Sequence, residues 1–410
     1  MNPRFILVAA VALAALSLPA AAGAATQPVR FATFNASLNR ANAGQALADL
    51  SSPGNAQADA VAEIIQRVRP DVLLINEFDY EPNNALAHAF QNNYLAVPHN
   101  GTAPIHFPYV FVARSNTGIP SGFDLNNNGS VGGPDDAFGF GFFPGQFGMA
   151  VFSRFPINHD AIRTFQFFLW KDMPGALLPN DPSIPGPADW YSQAELEVFR
   201  LSSKSHWDVP VKVRGKWVHF LVSHPTPPVF DGAEDRNGTR NSDEIRFWAD
   251  YIRPGNPSRY IYDDNGRRGG LKRGDLFVIA GDQNSDPHDG DSIPGSIQQL
   301  LHHPRINSGS KPSSAGGRYW AEAQNELNDT HQSRPKFDTA DFCDTPVAPP
   351  CSGPGNLRAD YVLPSNAFRI VDSGVFWPDG DDPLLYLTGT GFPVPSSDHR
   401  AVWIDIRQRN

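Results

Sequence analysis

The sequence predicts an α/β fold, and three features carry that expectation. A strand, an amphipathic helix and a second strand follow one another between residues 29 and 75. Short apolar runs of strand length recur to the end of the chain. No repeat of solenoid period is present, and no linker separates two clean domains.

The elements follow in order. Val29-Arg30-Phe31-Ala32-Thr33-Phe34 alternates as a strand does and ends at Asn35. Residues 36–55 are polar and broken by Gly and Pro. Ala56 to Val68 puts Ala60, Val61, Ile64, Ile65 and Val68 on one helical face, and Arg69-Pro70 stops it. Asp71-Val72-Leu73-Leu74-Ile75 is a continuous apolar strand that ends at Asn76-Glu77, and strand–helix–strand order implies an α/β sheet. Residues 98–146 and 166–192 are Gly/Pro-rich loop insertions, and the stretch from Phe147 to Ile157 between them restores a strand. Paired β patterns occupy 195–201, 209–213 and 217–222, the last ending at Ser223-His224-Pro225. Residues 241–252 read as a helix with Ile245, Trp248, Ala249 and Ile252 inward. Leu276-Phe277-Val278-Ile279-Ala280 runs into Gly281-Asp282-Gln283-Asn284. Residues 302–356 read mostly as loop, Arg358 to Leu363 as a strand, and Ala401-Val402-Trp403-Ile404 as the closing strand after Asp398-His399.

Apolar residues make up 40% of the 410, enough for a sizeable core. The 35 Gly and 38 Pro are read as long ordered loops, because the apolar runs between them stay intact. Arg4, an apolar stretch over residues 5–18 and small residues up to Ala25 have the form of a secretory signal peptide, with Ala-X-Ala cleavage sites at Ala20–Ala22 and Ala22–Ala24. The stretch is short for a membrane anchor, and no later run could span a bilayer. The expectation is a signal peptide at 1–25, a single domain at 26–410, and a secreted or periplasmic location. Removing the signal takes away Arg4 and no acid, so the mature chain is more acidic still than the full chain's −10. Such a balance gives no general attraction to a nucleic-acid backbone, although a metal ion can still bind phosphate locally. The basic run Arg267-Arg268, Lys272-Arg273 reads as a solvated loop. Cys343 and Cys351 are the only cysteines, and in an exported protein they are expected to form one disulfide across a Pro-rich loop.

Six strand ends carry polar groups: Asn35; Glu77; His224; Asp282 with Asn284; Asp360; and Asp398 with His399. Each alone reads as a turn residue, a surface acid or a satisfied edge group. Together they are of the types that bind hard metals or phosphate, and strand ends are rigid mounts for such groups.

In Phe34-Asn35, Asn76-Glu77, Gly148-Met149-Ala150-Val151-Phe152-Ser153-Arg154-Phe155-Pro156-Ile157, Ser223-His224-Pro225, Gly281-Asp282-Gln283-Asn284, Ala359-Asp360-Tyr361 and Ser397-Asp398-His399, the chain resembles the endonuclease/exonuclease/phosphatase superfamily. The motifs appear in the family's order from about residue 29 to the end. The resemblance implies a four-layer α/β sandwich: two mixed β-sheets packed face to face, helices outside, and the site at one end of the sheets. It also implies hydrolysis of a phosphodiester or phosphomonoester by metal-assisted attack of water. Many relatives have Gln-Glu where this chain has Asn76-Glu77, and the three insertions are long for the compact nucleases. Loops over such a site select substrate, so nucleic acid and small-molecule esters both stay open.

On this resemblance Glu77 leads the metal ligands, with Asn35 helping to hold Mg²⁺ (or Mn²⁺) or a phosphate oxygen and Asp398 supporting a second metal position. His399 would contact the scissile phosphate or the attacking water, and Asp360 would orient its ring. Asp282 would orient or deprotonate water, Asn284 would donate to the transition-state oxygen, and His224 would protonate the leaving group or bind phosphate. No protein partner is implied. A non-catalytic binding module on the same scaffold is the alternative; it predicts loss of several of these groups, and all eight are present. A serine esterase would need a Gly-X-Ser-X-Gly elbow, which is missing.

Three further segments stand out. Asp124, Asn126, Asn128, Gly129, Ser130, Val131 and Asp135 have the spacing of a calcium loop, with oxygen donors at positions 1, 3 and 5, Gly at 6, a carbonyl at 7 and an acid at 12. Its competing reading is a Gly/Asn-rich surface turn. Ser203-Lys204-Ser205-His206 reads as a polar turn before Trp207, or as a contact to substrate phosphate. Asp235 to Arg240 reads as a solvated loop, with Arg240 in reach of phosphate as the other reading.

Overall fold

A computed structural model describes residues 27–185, 189–325, 327–343, 351 and 353–409. Residues 1–25, read from the sequence as a signal peptide, lie outside the described residues. In chain order the strands are β1 Val29–Leu38, β2 Val72–Phe78, β3 Tyr109–Phe111, β4 Met149–Ser153, β5 Arg163–Thr164, β6 His206–Val213, β7 Lys216–Ser223, β8 Leu276–Asp282, β9 Ala340–Asp341, β10 Asn356–Leu357, β11 Asp360–Pro364, β12 Phe368–Val375 and β13 Val402–Gln408. One large sheet runs β12-β13-β1-β2-β4-β3 and a second β11-β8-β7-β6-β5, while β9 and β10 pair as a separate two-stranded ribbon. Both large sheets are mixed: β1 is parallel to β2 and β7 to β8, while their other pairings are antiparallel.

Side-chain alternation builds the layers. Phe31, Val72, Leu74 and Val151 face across to Val209, Phe220, Val222 and Val278, forming the core between the sheets. Phe31 and Phe220 meet there at 5.5 Å between ring centroids. The opposite faces point outward: Ala32, Phe34, Leu73, Ile75 and Phe152 lie under the Ala56–Val68 and Ala85–Phe90 helices. Leu221, Phe277 and Ile279 pack with Ile245 and Trp248 of the Arg236–Tyr251 helix. The result is helix, sheet, sheet, helix. Strands β2 and β8 are covered on both faces, which is why each reads as an unbroken apolar run. Each fully buried Leu, Ile, Val or Phe contributes roughly 1.5–3 kcal/mol relative to exposure. Asn55 caps the Ala56–Val68 helix by accepting from the Ala58 amide, and Arg69 closes it in the left-handed region.

Several local expectations are corrected. Residues 195–201 do not form a paired strand: Ser192 and Glu195 make a reciprocal capping box that winds Gln193–Leu196 into one helical turn, leaving only a bridge from Leu169 to Arg200. The helix expected from 241 begins at Arg236. Its first turns are polar yet covered, because buried Arg240 donates to the carbonyls of Leu201, Phe138 and Arg200. This settles Arg240 as a bracing residue, not a solvated one. The described residues of 302–356 are mostly loop but hold an unexpected element: Ser314 caps a helix at Ala315–Gln324, whose Trp320 packs into the core between the sheets. Three consecutive small residues after Ser314 had hidden it. Edge strand β12 was also missed, because Arg369, Asp372 and Ser373 interrupt its apolar pattern. Cys343 and Cys351 form a disulfide, with Cα atoms 4.8 Å apart.

Candidate active site

Strand register brings the polar strand ends together. In the parallel β1–β2 pair Asn35 lies beside Asn76, so Glu77 emerges just past it. In the antiparallel β8–β11 pair Asp282 and Asp360 are direct partners. His399 bridges to Ala340, beside Thr339. The last residues of β7 lead into His224, whose neighbour Pro225 accepts from the Asn284 amide side chain at 3.1 Å. Glu77 and Asn284 both sit at positive φ, 55° and 49°. Such backbone strain in non-glycine residues is held only where the surroundings over-determine it, and it clusters at functional sites.

The side chains converge. The Asn35 amide nitrogen donates to Glu77 Oε1 at 3.0 Å and to Asp282 Oδ2 at 3.1 Å, while its oxygen accepts from the Ser37 amide. Asn39 donates to the other Glu77 oxygen. His224 Nε2 lies 3.3 Å and His399 Nε2 3.5 Å from Asp282 Oδ2, so two imidazoles flank one carboxylate oxygen. His399 Nδ1 pairs with Asp360 Oδ2 at 2.8 Å, and the Thr339 hydroxyl donates to the same oxygen. Asp398 Oδ1 lies 3.4 Å from the Ser37 and Ser397 hydroxyls, and Ser397 gives its one proton to the Asn35 carbonyl at 2.7 Å. All of the sequence-predicted strand-end groups therefore lie in one linked cluster. Asn39, Thr339 and Ser397 join them; Asn39 and Thr339 sit in polar stretches that the sequence reading passed over, and Ser397 was named in its motif without a role.

Electrostatics divides the two histidines. Burial disfavours a charged ring at His399, but Asp360 and Asp282 outweigh it and hold the imidazolium well above the ordinary histidine range. Burial pushes His224 down to about 4, and the Lys204 ammonium pushes the same way. One ring is thus charged and the other neutral near pH 7. Asp282 is held well below the usual carboxylate range: burial opposes its charge, but His399 and His224 more than compensate. Burial lifts Asp360 to about 6 against the pull of His399. Burial and the nearby Asp398 raise Glu77.

Two arrangements here suit a cation. Ligand atoms of Asp282, Asp360 and His399 lie within 4.8 Å of one another. Glu77 and Asp398 form the second: neither makes an ion pair with a Lys or Arg among the described residues, and Asp398 opposes the ionisation of Glu77. A half-exposed, oxygen-only pair fits a hard cation that keeps several of its waters.

The remaining segments lie elsewhere. In the 124–136 loop Asp124 accepts from the Asn128 and Gly129 amides, Asn126 from the Asn128 amide and Asn128 from the Ser130 amide. Asp135 is exposed, and it is Asp136 that folds back to hold the Leu125 and Gly132 amides. Lys204, by contrast, is buried against the active site.

A cluster of carboxylates, two unlike imidazoles and amides at the end of a four-layer sandwich defines a phosphoester hydrolase. The chain belongs to the Endonuclease/Exonuclease/phosphatase family, whose pattern matches residues 32–399 and whose members use divalent metals. No curated protein matches the sequence. Among solved structures it is similar to an endonuclease/exonuclease/phosphatase from Beutenbergia cavernae (16% identity, 93% of this chain and 72% of that one, TM-score 0.47). It is also similar to sphingomyelinase C from Streptomyces griseocarneus (15%, 93% and 99%, 0.44) and to the human Nocturnin catalytic domain with bound sulfate (12%, 93% and 94%, 0.43). No helix among the described residues is long and apolar enough to cross a membrane.

Proposed function

We propose that the protein is an exported, magnesium-dependent phosphodiesterase. The observation that carries this reading is the convergence of Glu77, Asn35, Asp282, His224, His399 and Asp360 within hydrogen-bonding reach of one another. Glu77 and Asp398 would hold Mg²⁺ (or Mn²⁺), which when bound polarises the phosphoryl oxygen and stabilises charge on the departing oxygen. Asn35 donates to both Glu77 and Asp282, so its proposed part is to fix the spacing of those carboxylates. Asp282, held ionised, orients water and takes its proton. The water oxygen forms a new bond to phosphorus, and the bond to the leaving oxygen breaks with its electron pair staying on that oxygen. A proton then completes the alcohol product and leaves a phosphomonoester. His399, held as imidazolium by Asp360, stabilises the phosphorane-like charge. Asn284 adds a donor, and neutral His224 hydrogen-bonds the phosphate or relays the proton to the leaving group.

A diester is favoured over a monoester by a cavity of about 500 Å³ walled by Ala43, Gly44, Tyr80, Arg114, Phe143 and Pro144. Tyr80 is three residues beyond Glu77, and the Asn39 loop that touches Glu77 leads into Ala43. There is room there for a second ester substituent. The test is a screen of DNA, RNA, sphingomyelin, bis(p-nitrophenyl) phosphate and phosphomonoesters after chelation and metal add-back. Turnover confined to monoesters, or indifferent to chelation, refutes the reading. Export rests on the signal-peptide form of residues 1–25 and agrees with the disulfide. Recovery of the uncleaved chain inside cells would refute it. The Asp124–Asp135 spacing is proposed to bind a structural calcium, and calorimetry showing no uptake outside the catalytic site would remove that proposal.

A further inference from the structure

Lys204 is buried, 7% exposed, yet its ammonium makes no hydrogen bond or ion pair with any described residue. An ammonium carries three donors, and this one is not sealed from solvent, so those donors are open to water or a ligand. The acids around it are each already held by other donors. Glu244 already accepts from the Ser203 and Thr226 amides, one on each oxygen. Glu77 is taken by Asn35 and Asn39, and Asp282 by Asn35 and the Asn284 amide. Burial pulls the ammonium below the ordinary lysine range against the opposing pull of Glu244, Glu77 and Asp282, and its hydrogen bonds are left for something else.

The backbone holds this side chain at the site. Residues His206 and Ser223 pair in the β6–β7 ladder, so Lys204 lies across from His224 and Pro225. The Ser203 hydroxyl donates to the His224 carbonyl at 3.3 Å. From the other side, the 98–146 insertion clamps the turn: the Asn116 amide donates to the Lys204 carbonyl at 2.8 Å. Gly139 approaches so closely that a Cβ there would stand 1.9 Å from the Ser203 carbonyl oxygen. A surface turn needs no such bracing.

Resting on the phosphoesterase reading, we propose that Lys204 is a catalytic residue that donates hydrogen bonds to a non-bridging oxygen of the scissile phosphate, and that the 98–146 insertion serves to present it. The ammonium stays protonated throughout and transfers nothing. It neutralises charge on the phosphate at a fixed position near Glu77, one of the carboxylates that would hold the metal. The competing role is plain charge balance for the buried acids.

The experiment compares wild type with Lys204→Met, Lys204→Arg and Gly139→Ala, using bis(p-nitrophenyl) phosphate with Mg²⁺ for turnover and inorganic phosphate for binding. Lys204→Met is expected to lose about 10²–10³-fold in kcat/KM, the scale of one fixed transition-state donor. Phosphate binding should weaken at least ~10-fold, the measure of one charge-assisted hydrogen bond. Magnesium affinity should hold or tighten. Lys204→Arg should recover part of the loss, and Gly139→Ala should reproduce it by displacing the turn. Turnover and phosphate affinity both near wild type in Lys204→Met, with only the melting temperature changed, would overturn the proposal in favour of charge balance. Should Lys204→Met not fold, the wild-type Lys204 ammonium NMR signal decides: it must shift on adding phosphate, and an unmoved signal overturns the idea. That arm needs no turnover. An inactive wild type with a phosphate-shifted Lys204 would therefore sink the phosphodiesterase reading and not the site.

Discussion

Asp360→Asn is the most informative single perturbation, because the structure fixes how the new amide must sit. Asp360 Oδ2 accepts from His399 Nδ1 at 2.8 Å and from the Thr339 hydroxyl at 2.9 Å. Thr339 cannot turn its proton elsewhere, since its oxygen already accepts from the Ala359 and Asp360 amides. An Asn oxygen must therefore occupy the Oδ2 position, which keeps both hydrogen bonds and places the NH₂ where Oδ1 is now. Oδ1 is buried and has no hydrogen-bond partner. The amide would leave donors unmet there, costing about 1–3 kcal/mol of stability. The charge is lost in either case. At His399 burial disfavours the imidazolium and Asp360 is the first opposing group, so the ring's titration should move down toward or below the ordinary range. A raised histidine contributes stability below its unfolded value that disappears as pH rises through the folded value. The variant should accordingly lose the alkaline step in stability that wild type shows above pH 6.5. A hydrogen bond to a charged partner is worth about 1.5–3 kcal/mol, and loss of an orienting carboxylate has reached ~10⁴ in rate in the Ser-His-Asp case. Turnover at pH 7.5 should fall by about 10²–10⁴, with the magnesium requirement unchanged. The assays are hydrolysis of bis(p-nitrophenyl) phosphate and an imidazole NMR titration. A His399 ring that titrates as in wild type, or turnover within ~3-fold, would refute the role given to Asp360.

Glu77→Gln should raise the magnesium concentration needed for half-maximal activity at least ~10-fold, read by metal titration; an unchanged titration removes Glu77 from the metal. Reducing Cys343–Cys351, which closes a loop of sequence separation 8, should lower stability by about 2.5 kcal/mol on the chain-entropy scale, measured by denaturant melts with and without reductant. His206 is buried between the Ser202 hydroxyl and the Glu244 carbonyl, and burial pushes it down to about 3. Its unfolded form takes up a proton below about pH 6.5 while the folded form does not, so stability should fall from pH 6.5 toward 3. A His206→Gln chain should show a flatter urea midpoint over that window.

What was legible in the sequence and what was not divides along a physical line. The strands that mount the site are covered on both faces or packed against the opposing sheet, so burial alone forces the apolar runs that end at Asn35, Glu77 and Asp282 and the run that follows His399. A polar residue at such an end is visible because everything before it is apolar. Lys204 has no such frame. The turn before β6 looks like any polar loop, and its burial is imposed from 60 to 90 residues away, by Gly139 and Asn116 closing over it. Arg240 is the same case: six carbonyl-rich residues look solvated until the carbonyls of Phe138 and Leu201 are seen to fill its guanidinium. Asn39 and Thr339 are short-range in effect but sit in loops whose path only the fold decides. Strand ends thus write the reacting groups into local pattern, whereas the residues that hold or supplement them depend on long-range closure. It follows that the insertions, which look dispensable by composition, should be catalytically sensitive where they touch the 203–206 turn and tolerant elsewhere. Shortening the exposed 127–133 segment should leave turnover intact, while Gly139→Ala, only a few residues on, should not.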